Sequence, residues 1–125
     1  MISGIGTDII EVARVAEKMQ RHSGFREYVF SPAEIAYCEK MTGKYEYYAA
    51  RFAAKEAFLK ALGKGWQSGT YFNEIETLPN EDGKPEISLL GNTKATLEKL
   101  PGFRIFVSLS HIKEFAVAFV MLEKL

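Results

Sequence analysis

The sequence predicts an α+β fold, an antiparallel sheet packed on one side with helices. Three observations predict it: helical patterns dominate the first half, strand patterns dominate the second, and a long alanine-rich stretch lies between them. With 125 residues, 47% of them apolar and 26% charged, the chain reads as one soluble globular domain, 1–125.

Ile2 to Ile10 reads as a short buried strand carrying Gly4 and Gly6. Residues 11–21 follow as an amphipathic helix with Val12, Val15, Ala16 and Met19 on one face. Ser31-Pro32-Ala33-Glu34 is a helix start, with a capping serine, a first-turn proline and the glutamate of a capping box. It opens a helix over about 32–41 that Gly43 ends. Tyr45 to Leu62 is helical, favoured by alanines at 49, 50, 53, 54, 57 and 61 and closed by Gly63. Phe72–Leu78 and Pro85–Leu90 read as strands joined through Asp82-Gly83. Asn92 is placed to cap a short helix ending near Pro101-Gly102. Phe103–Leu109 and Phe115–Leu122, apolar and β-branched or aromatic, read as a terminal hairpin around His111-Ile112-Lys113-Glu114.

Sixteen basic residues balance sixteen acidic ones. A net charge of zero argues against general binding to a nucleic-acid backbone, which needs excess cations. No apolar run reaches the roughly 18–20 residues of a membrane span, and the first residues lack the pattern of a secretory signal. A lone Cys38 cannot form an internal disulfide, so a cytoplasmic protein is expected. Cys38 itself reads as a small hydrophobe of its helix, and His22 as a residue at a helix end. Trp66 reads as cover for core or pocket. One cysteine and two distant histidines are too few for a Cys/His zinc site. Any metal would be a hard cation held by carboxylates.

Two carboxylates stand out. Asp8 ends an apolar strand, where it reads either as a cap or surface residue, or as a ligand for a cation. Glu56 lies among alanines on the long helix, where Arg51/Lys55 and Glu56/Lys60 are each four residues apart. That spacing describes either solvated ion pairs or charge at a partly covered edge. Together the two acids would suit Mg2+, which takes one or two protein carboxylates and completes its shell with waters and phosphate. Lys55, Lys60 and Lys64 would then meet the remaining phosphate charge. Two carboxylates with a lysine group describe a site for a pyrophosphate-containing substrate.

Three segments carry a resemblance: Gly4-Ile5-Gly6-Thr7-Asp8-Ile9-Ile10-Glu11, Arg51-Phe52-Ala53-Ala54-Lys55-Glu56-Ala57-Phe58-Leu59-Lys60-Ala61-Leu62-Gly63, and Ser108-Leu109-Ser110-His111. In order and position they resemble the holo-[acyl-carrier-protein] synthase family, the short bacterial type of phosphopantetheinyl transferase, across essentially the whole chain. The resemblance implies a phosphopantetheinyl transferase-like fold. It also implies transfer of the phosphopantetheine arm of coenzyme A to a serine of apo acyl carrier protein, in fatty acid biosynthesis, releasing adenosine 3',5'-bisphosphate. By matching position it makes Asp8 and Glu56 the Mg2+ ligands, sets Lys60 near the transferred phosphate and puts His111 in the coenzyme A pocket. Arg51, Lys55, Gly63, Ser110 and Lys113 become further coenzyme A contacts. Between Met41 and Tyr48 only Lys44 is basic, where some members carry more.

Arg14, Lys18 and Arg21 form one stripe on the first helix, with Arg26 close behind. Alone, such a stripe is an outward helix face. Because acyl carrier proteins are acidic, the resemblance makes it a docking surface, with Phe25 and Met19 adding apolar contact. It further implies a homotrimer with active sites between subunits, compatible with the apolar Phe106, Phe115, Val117, Phe119 and Met121 of the hairpin. Two other functions fit the same features: transfer to another carrier domain, and a non-catalytic module that binds nucleotide or acidic protein.

Overall fold

A computed structural model describes residues 1–63 and 69–125 of the chain. Lys64 and Trp66 lie outside the described residues. In order the elements are β1 (Ile2–Glu11), α1 (Val12–Arg21), α2 (Phe25–Val29), α3 (Pro32–Glu39), α4 (Lys44–Leu62), a 3-10 turn (Phe72–Glu74), β2 (Ile75–Pro79), β3 (Pro85–Leu89), α5 (Gly91–Leu97), β4 (Phe103–His111) and β5 (Phe115–Lys124). The fold is α+β, as the sequence predicts. Among the described residues no helix is long and apolar enough to cross a membrane.

The strands form two antiparallel sheets, β1-β5-β4 and the hairpin β2-β3. The central place falls to β5 because Ala116, Ala118, Val120 and Leu122 alternate along it and are all buried. These residues face α4. The alanines of α4 let the helix sink between two clusters of core side chains, and eleven of its residues are buried. Large rings fill the space that remains. Phe30 packs on Tyr48 at 4.8 Å between centroids, and Phe58 on Phe103 at 6.3 Å.

The contact between β1 and α4 involves main chain on both sides. A Cβ built on Gly6 would stand 2.0 Å from the carbonyl oxygen of Ala57, and one on Gly4 would stand 2.0 Å from that of Ala61. Neither position has room for a side chain. The strand glycines and helix alanines noted in the sequence therefore meet each other.

Several elements differ from expectation. Phe72–Glu74 is a 3-10 turn, so β2 begins only at Ile75. Gly43 does not end α3, which stops at Glu39; it stands at the start of α4 with φ 69°. Helix α2, five residues long, is too short to show a helical period. Asn92 is not a cap: Leu90 holds that position, and the carboxylate of Glu74 accepts from the N–H groups of Asn92 and Thr93. A distant acid thus satisfies donors that a local residue was expected to take. The capping box at Ser31 and Glu34 forms as predicted.

The outer face of the three-stranded sheet is apolar and open. Ile5, Ile9, Phe106, Phe115 and Phe119 are exposed there. The register places Ile5 beside Met121, Ile9 beside Val117 and Phe106 beside Met121, so these side chains are neighbours across strands.

Candidate active site

Alternation along β1 sends Gly4, Gly6 and Asp8 toward α4 and Ile5, Thr7 and Ile9 away from it. Asp8 therefore leaves the glycine seam pointing at the helix. There the ammonium of Lys60 donates to Asp8 Oδ1 at 3.1 Å and to the carbonyl of Thr7 at 2.9 Å. An ammonium has three hydrogens, so one more remains for a ligand oxygen, and the side chain is 55% exposed. Glu56 lies one helical turn before Lys60. Burial raises its carboxyl pKa above the usual value and the charge of Asp8 raises it further, while Lys60 and Lys18 pull the other way. Asp8, Glu56 and Lys60 thus share one edge of α4, and α1 brings Lys18 toward it.

The donor set fits Mg2+. It consists of two carboxylates that repel each other, beside a lysine that can hold phosphate, and a divalent cation would relieve that repulsion. Among the described residues no group of three or more His, Cys, Asp or Glu could hold a metal, so a cage supplied wholly by protein is not formed. Mg2+ needs only one or two such ligands when water and phosphate supply the rest.

The other coenzyme A candidates lie elsewhere. Lys55 is fully buried, and its three donors are taken by Glu34 Oε1 at 2.7 Å, the Phe72 carbonyl at 2.8 Å and the Ile75 carbonyl at 2.6 Å. It has no hydrogen left for a phosphate, which corrects its expected role as a ligand contact. Its partner Glu34 also accepts from the N–H groups of Ser31 and Thr77, so one ion pair ties α3, α4 and β2 together. Arg51 is only 4% exposed, with Nε on the Thr77 carbonyl at 3.0 Å and its guanidinium 4.6 Å from the Tyr37 ring. Gly63 closes α4 at φ 74°. Ser110 lies on the outer face of the sheet, and Lys113 is exposed in the turn. His111 ends β4, where its Nδ1 lies 2.8 Å from Glu46 Oε1 and its ring 4.8 Å from that of Tyr47. Nothing in the sequence marked Glu46, which stands 65 residues from its partner.

Arg14, Lys18 and Arg21 are exposed along α1. Arg21 pairs with Glu17 at 3.1 Å and Arg26 with Glu27 at 2.9 Å. Arg14 and Lys18 form no ion pair within 4.0 Å among the described residues. Phe25 and Met19 are partly buried against the core, so each offers an edge rather than a free ring or chain. Cys38 is buried, and burial pushes its thiol up to about 12, which leaves it protonated and unreactive. His22 donates its backbone N–H to the Lys18 carbonyl at 3.0 Å.

A family model described as the 4'-phosphopantetheinyl transferase superfamily matches residues 4–120. The chain belongs to this superfamily. Within it, the chain is 52% identical to a holo-[acyl-carrier-protein] synthase of Cytophaga hutchinsonii over 126 residues, covering 99% of each protein. It is 42% identical to the protein of that name from Halothermothrix orenii over 125 residues, again covering 99% of each. Among solved structures, the holo-[acyl-carrier-protein] synthase of Neisseria meningitidis superposes with a TM-score of 0.89 at 34% identity, covering 99% of this chain and 100% of that one. The Bacillus anthracis synthase, solved in complex with coenzyme A (3',5'-ADP), gives 0.82 at 35% identity, covering 100% and 99%. The α+β arrangement of helices and antiparallel strands is that of these phosphopantetheinyl transferases.

Proposed function

We propose that this chain is a Mg2+-dependent holo-[acyl-carrier-protein] synthase. It transfers the phosphopantetheine arm of coenzyme A to a serine of apo acyl carrier protein. The observation that carries this reading is the convergence of Asp8, Glu56 and Lys60 at one edge of α4, on a chain matched along its whole length by synthases of that name. Asp8 and Glu56 would hold the metal, which when bound neutralises pyrophosphate charge. Lys60 directs its remaining N–H at a phosphate oxygen. The serine hydroxyl attacks the β-phosphorus, forms a new P–O bond and gives up its proton to water. The bond to the bridging oxygen breaks, and adenosine 3',5'-bisphosphate leaves with the electron pair. Most of the acceleration comes from positioning and charge, as is general for phosphoryl transfer.

The exposed cations of α1, of which Arg14 and Lys18 form no ion pair within 4.0 Å among the described residues, suit an acidic carrier and adjoin Glu56 through Lys18. The unpaired, buried Cys38 accords with a cytoplasmic setting. Apo carrier protein incubated with coenzyme A, Mg2+ and this protein should gain the mass of the phosphopantetheine arm, read by intact mass spectrometry. Chelator should stop the gain and added Mg2+ restore it. No gain of mass, with a known synthase active in parallel, would refute the assignment.

The working unit in this reading is a homotrimer. Two features of the single chain support it. His111 is bound to Glu46, ten residues before Glu56 and so roughly 15 Å away along α4, while Ser110 faces the other side of the sheet. The groups assigned to one coenzyme A are therefore split, and copies packed through the open apolar face would reunite them while covering Ile5, Ile9 and Phe119. Light scattering should give three times the chain mass. A fully active monomer would overturn the shared site.

A further inference from the structure

The hydrogen bond between His111 and Glu46 joins the last residue of β4 to the first turn of α4. Both partners are about one-quarter exposed, which is covered enough to be ordered and open enough to meet a ligand. The backbone fixes both ends. Glu46 donates its N–H to the Gly43 carbonyl at 3.0 Å, and His111 is paired with Ala116 in the sheet. An ionised carboxylate only accepts, so Nδ1 must carry the hydrogen. That leaves Nε2 as the ligand nitrogen, with no hydrogen-bond partner among the described residues.

The ring is steadied from a second side. Tyr47 lies 4.8 Å from it at 60°, Tyr37 meets Tyr47 edge-on at 6.2 Å, and Arg51 Nη1 donates to the Tyr47 carbonyl at 3.3 Å. Beside His111 opens a cavity of about 300 Å³, lined also by Ile9, Ser110, Ile112, Phe115 and Val117. The carboxylate behind the imidazole and a phosphate oxygen in front of it are both acceptors, so the ligand-bound ring carries both hydrogens, giving Nδ1–H to Glu46 and Nε2–H to the phosphate.

We propose that Glu46 is a positioning residue for coenzyme A binding, acting through His111 by holding Nδ1 so that Nε2 is presented to the nucleotide. This rests on the reading of His111 as a coenzyme A contact. Glu46 itself touches no substrate. Its contribution is to spare the ligand the cost of ordering the ring.

The test uses the assembled protein with adenosine 3',5'-bisphosphate in titration calorimetry, and steady-state transfer with coenzyme A varied. Glu46→Ala should weaken bisphosphate binding about ten-fold, the value of one hydrogen bond to a charged group. It should raise KM for coenzyme A to match and change kcat by less than about two-fold. Glu46→Gln, whose amide oxygen still accepts from Nδ1–H, should recover most of the loss. In a His111→Ala background, Glu46→Ala should add nothing, because its partner is already gone. Three results overturn the positioning role while leaving His111 as a contact: unchanged binding in Glu46→Ala, a loss in Glu46→Gln as large as in Glu46→Ala, or additive losses in the double variant. A His111→Ala protein that binds the bisphosphate normally overturns the reading of His111, and the role of Glu46 with it.

Discussion

Asp8→Ala and Glu56→Ala should each lower transfer by about 10³-fold or more without unfolding the protein, because each removes one of the two carboxylates proposed to hold Mg2+. The stability side of this expectation has a definite sign. Glu56 has a folded-state pKa raised first by burial and then by Asp8. A carboxyl raised in the folded state gives stability that is fully present below its unfolded value and is lost as pH rises through the folded value. At neutral pH the ionised Glu56 is therefore a net cost to the metal-free fold. Glu56→Gln, which stays neutral, should have a melting temperature equal to or slightly above that of the parent at pH 7. The difference should close as pH falls into the ordinary carboxylate range. Measured with chelator present, a clear drop in melting temperature for Glu56→Gln would show that its carboxylate supports the fold instead. Retained transfer by either alanine variant at ordinary Mg2+ would remove the metal assignment.

Lys55→Ala should be among the most damaging single changes to stability. It leaves the Glu34 carboxylate buried without its cation and takes one donor from each of the carbonyls of Phe72 and Ile75, the former still accepting from the N–H of Ile75. Breaking one side of a buried ion pair costs about 3–5 kcal/mol, against a total of about 5–15 kcal/mol for an ordinary domain. Burial pushes the ammonium's pKa down, and the negative charge of Glu34 opposes that shift. Replacing both partners by apolar residues often recovers such a loss, but here recovery should be incomplete. Glu34 also satisfies the N–H groups of Ser31 and Thr77, which would stay buried and unpaired in Lys55→Met/Glu34→Leu. Urea unfolding would measure both variants. A single variant within about 1 kcal/mol of the parent would contradict the role given to this pair.

Lys55 also shows where the sequence stopped being legible. Spacing placed Arg51 and Lys55 on one face of α4, and a shared face of charges reads as solvated. Periodicity reports which residues neighbour each other on a helix, not whether another element lies over them. The alanines carried that second message, since a helix lined with them can be approached from several sides, and most of α4 is indeed covered. The long helix and the terminal hairpin were readable because each is long and strongly patterned. The juxtaposition of Asp8, Glu56 and Lys60 was readable because the motifs containing them are specific. The short helix α2, the 3-10 turn and the capping of α5 by Glu74 were not, since they depend on short or distant contacts. The pairing of Glu46 with His111 belongs to the same group, for topology alone brings the end of β4 to the start of α4.

The seam where Gly4 and Gly6 lie against Ala57 and Ala61 has a consequence for cation choice. The spacing between a carboxylate on β1 and one on α4 is set there by main chain resting on main chain. No rotamer stands between the two supports to relax and alter the gap. One added methyl group at either glycine would lift the strand off the helix and widen the span between Asp8 and Glu56. A wider span suits a larger ion with longer oxygen bonds, Ca2+ rather than Mg2+. With Asp8 and Glu56 as the proposed ligands, two residues with no side chain thus set the gap that an ion would have to span.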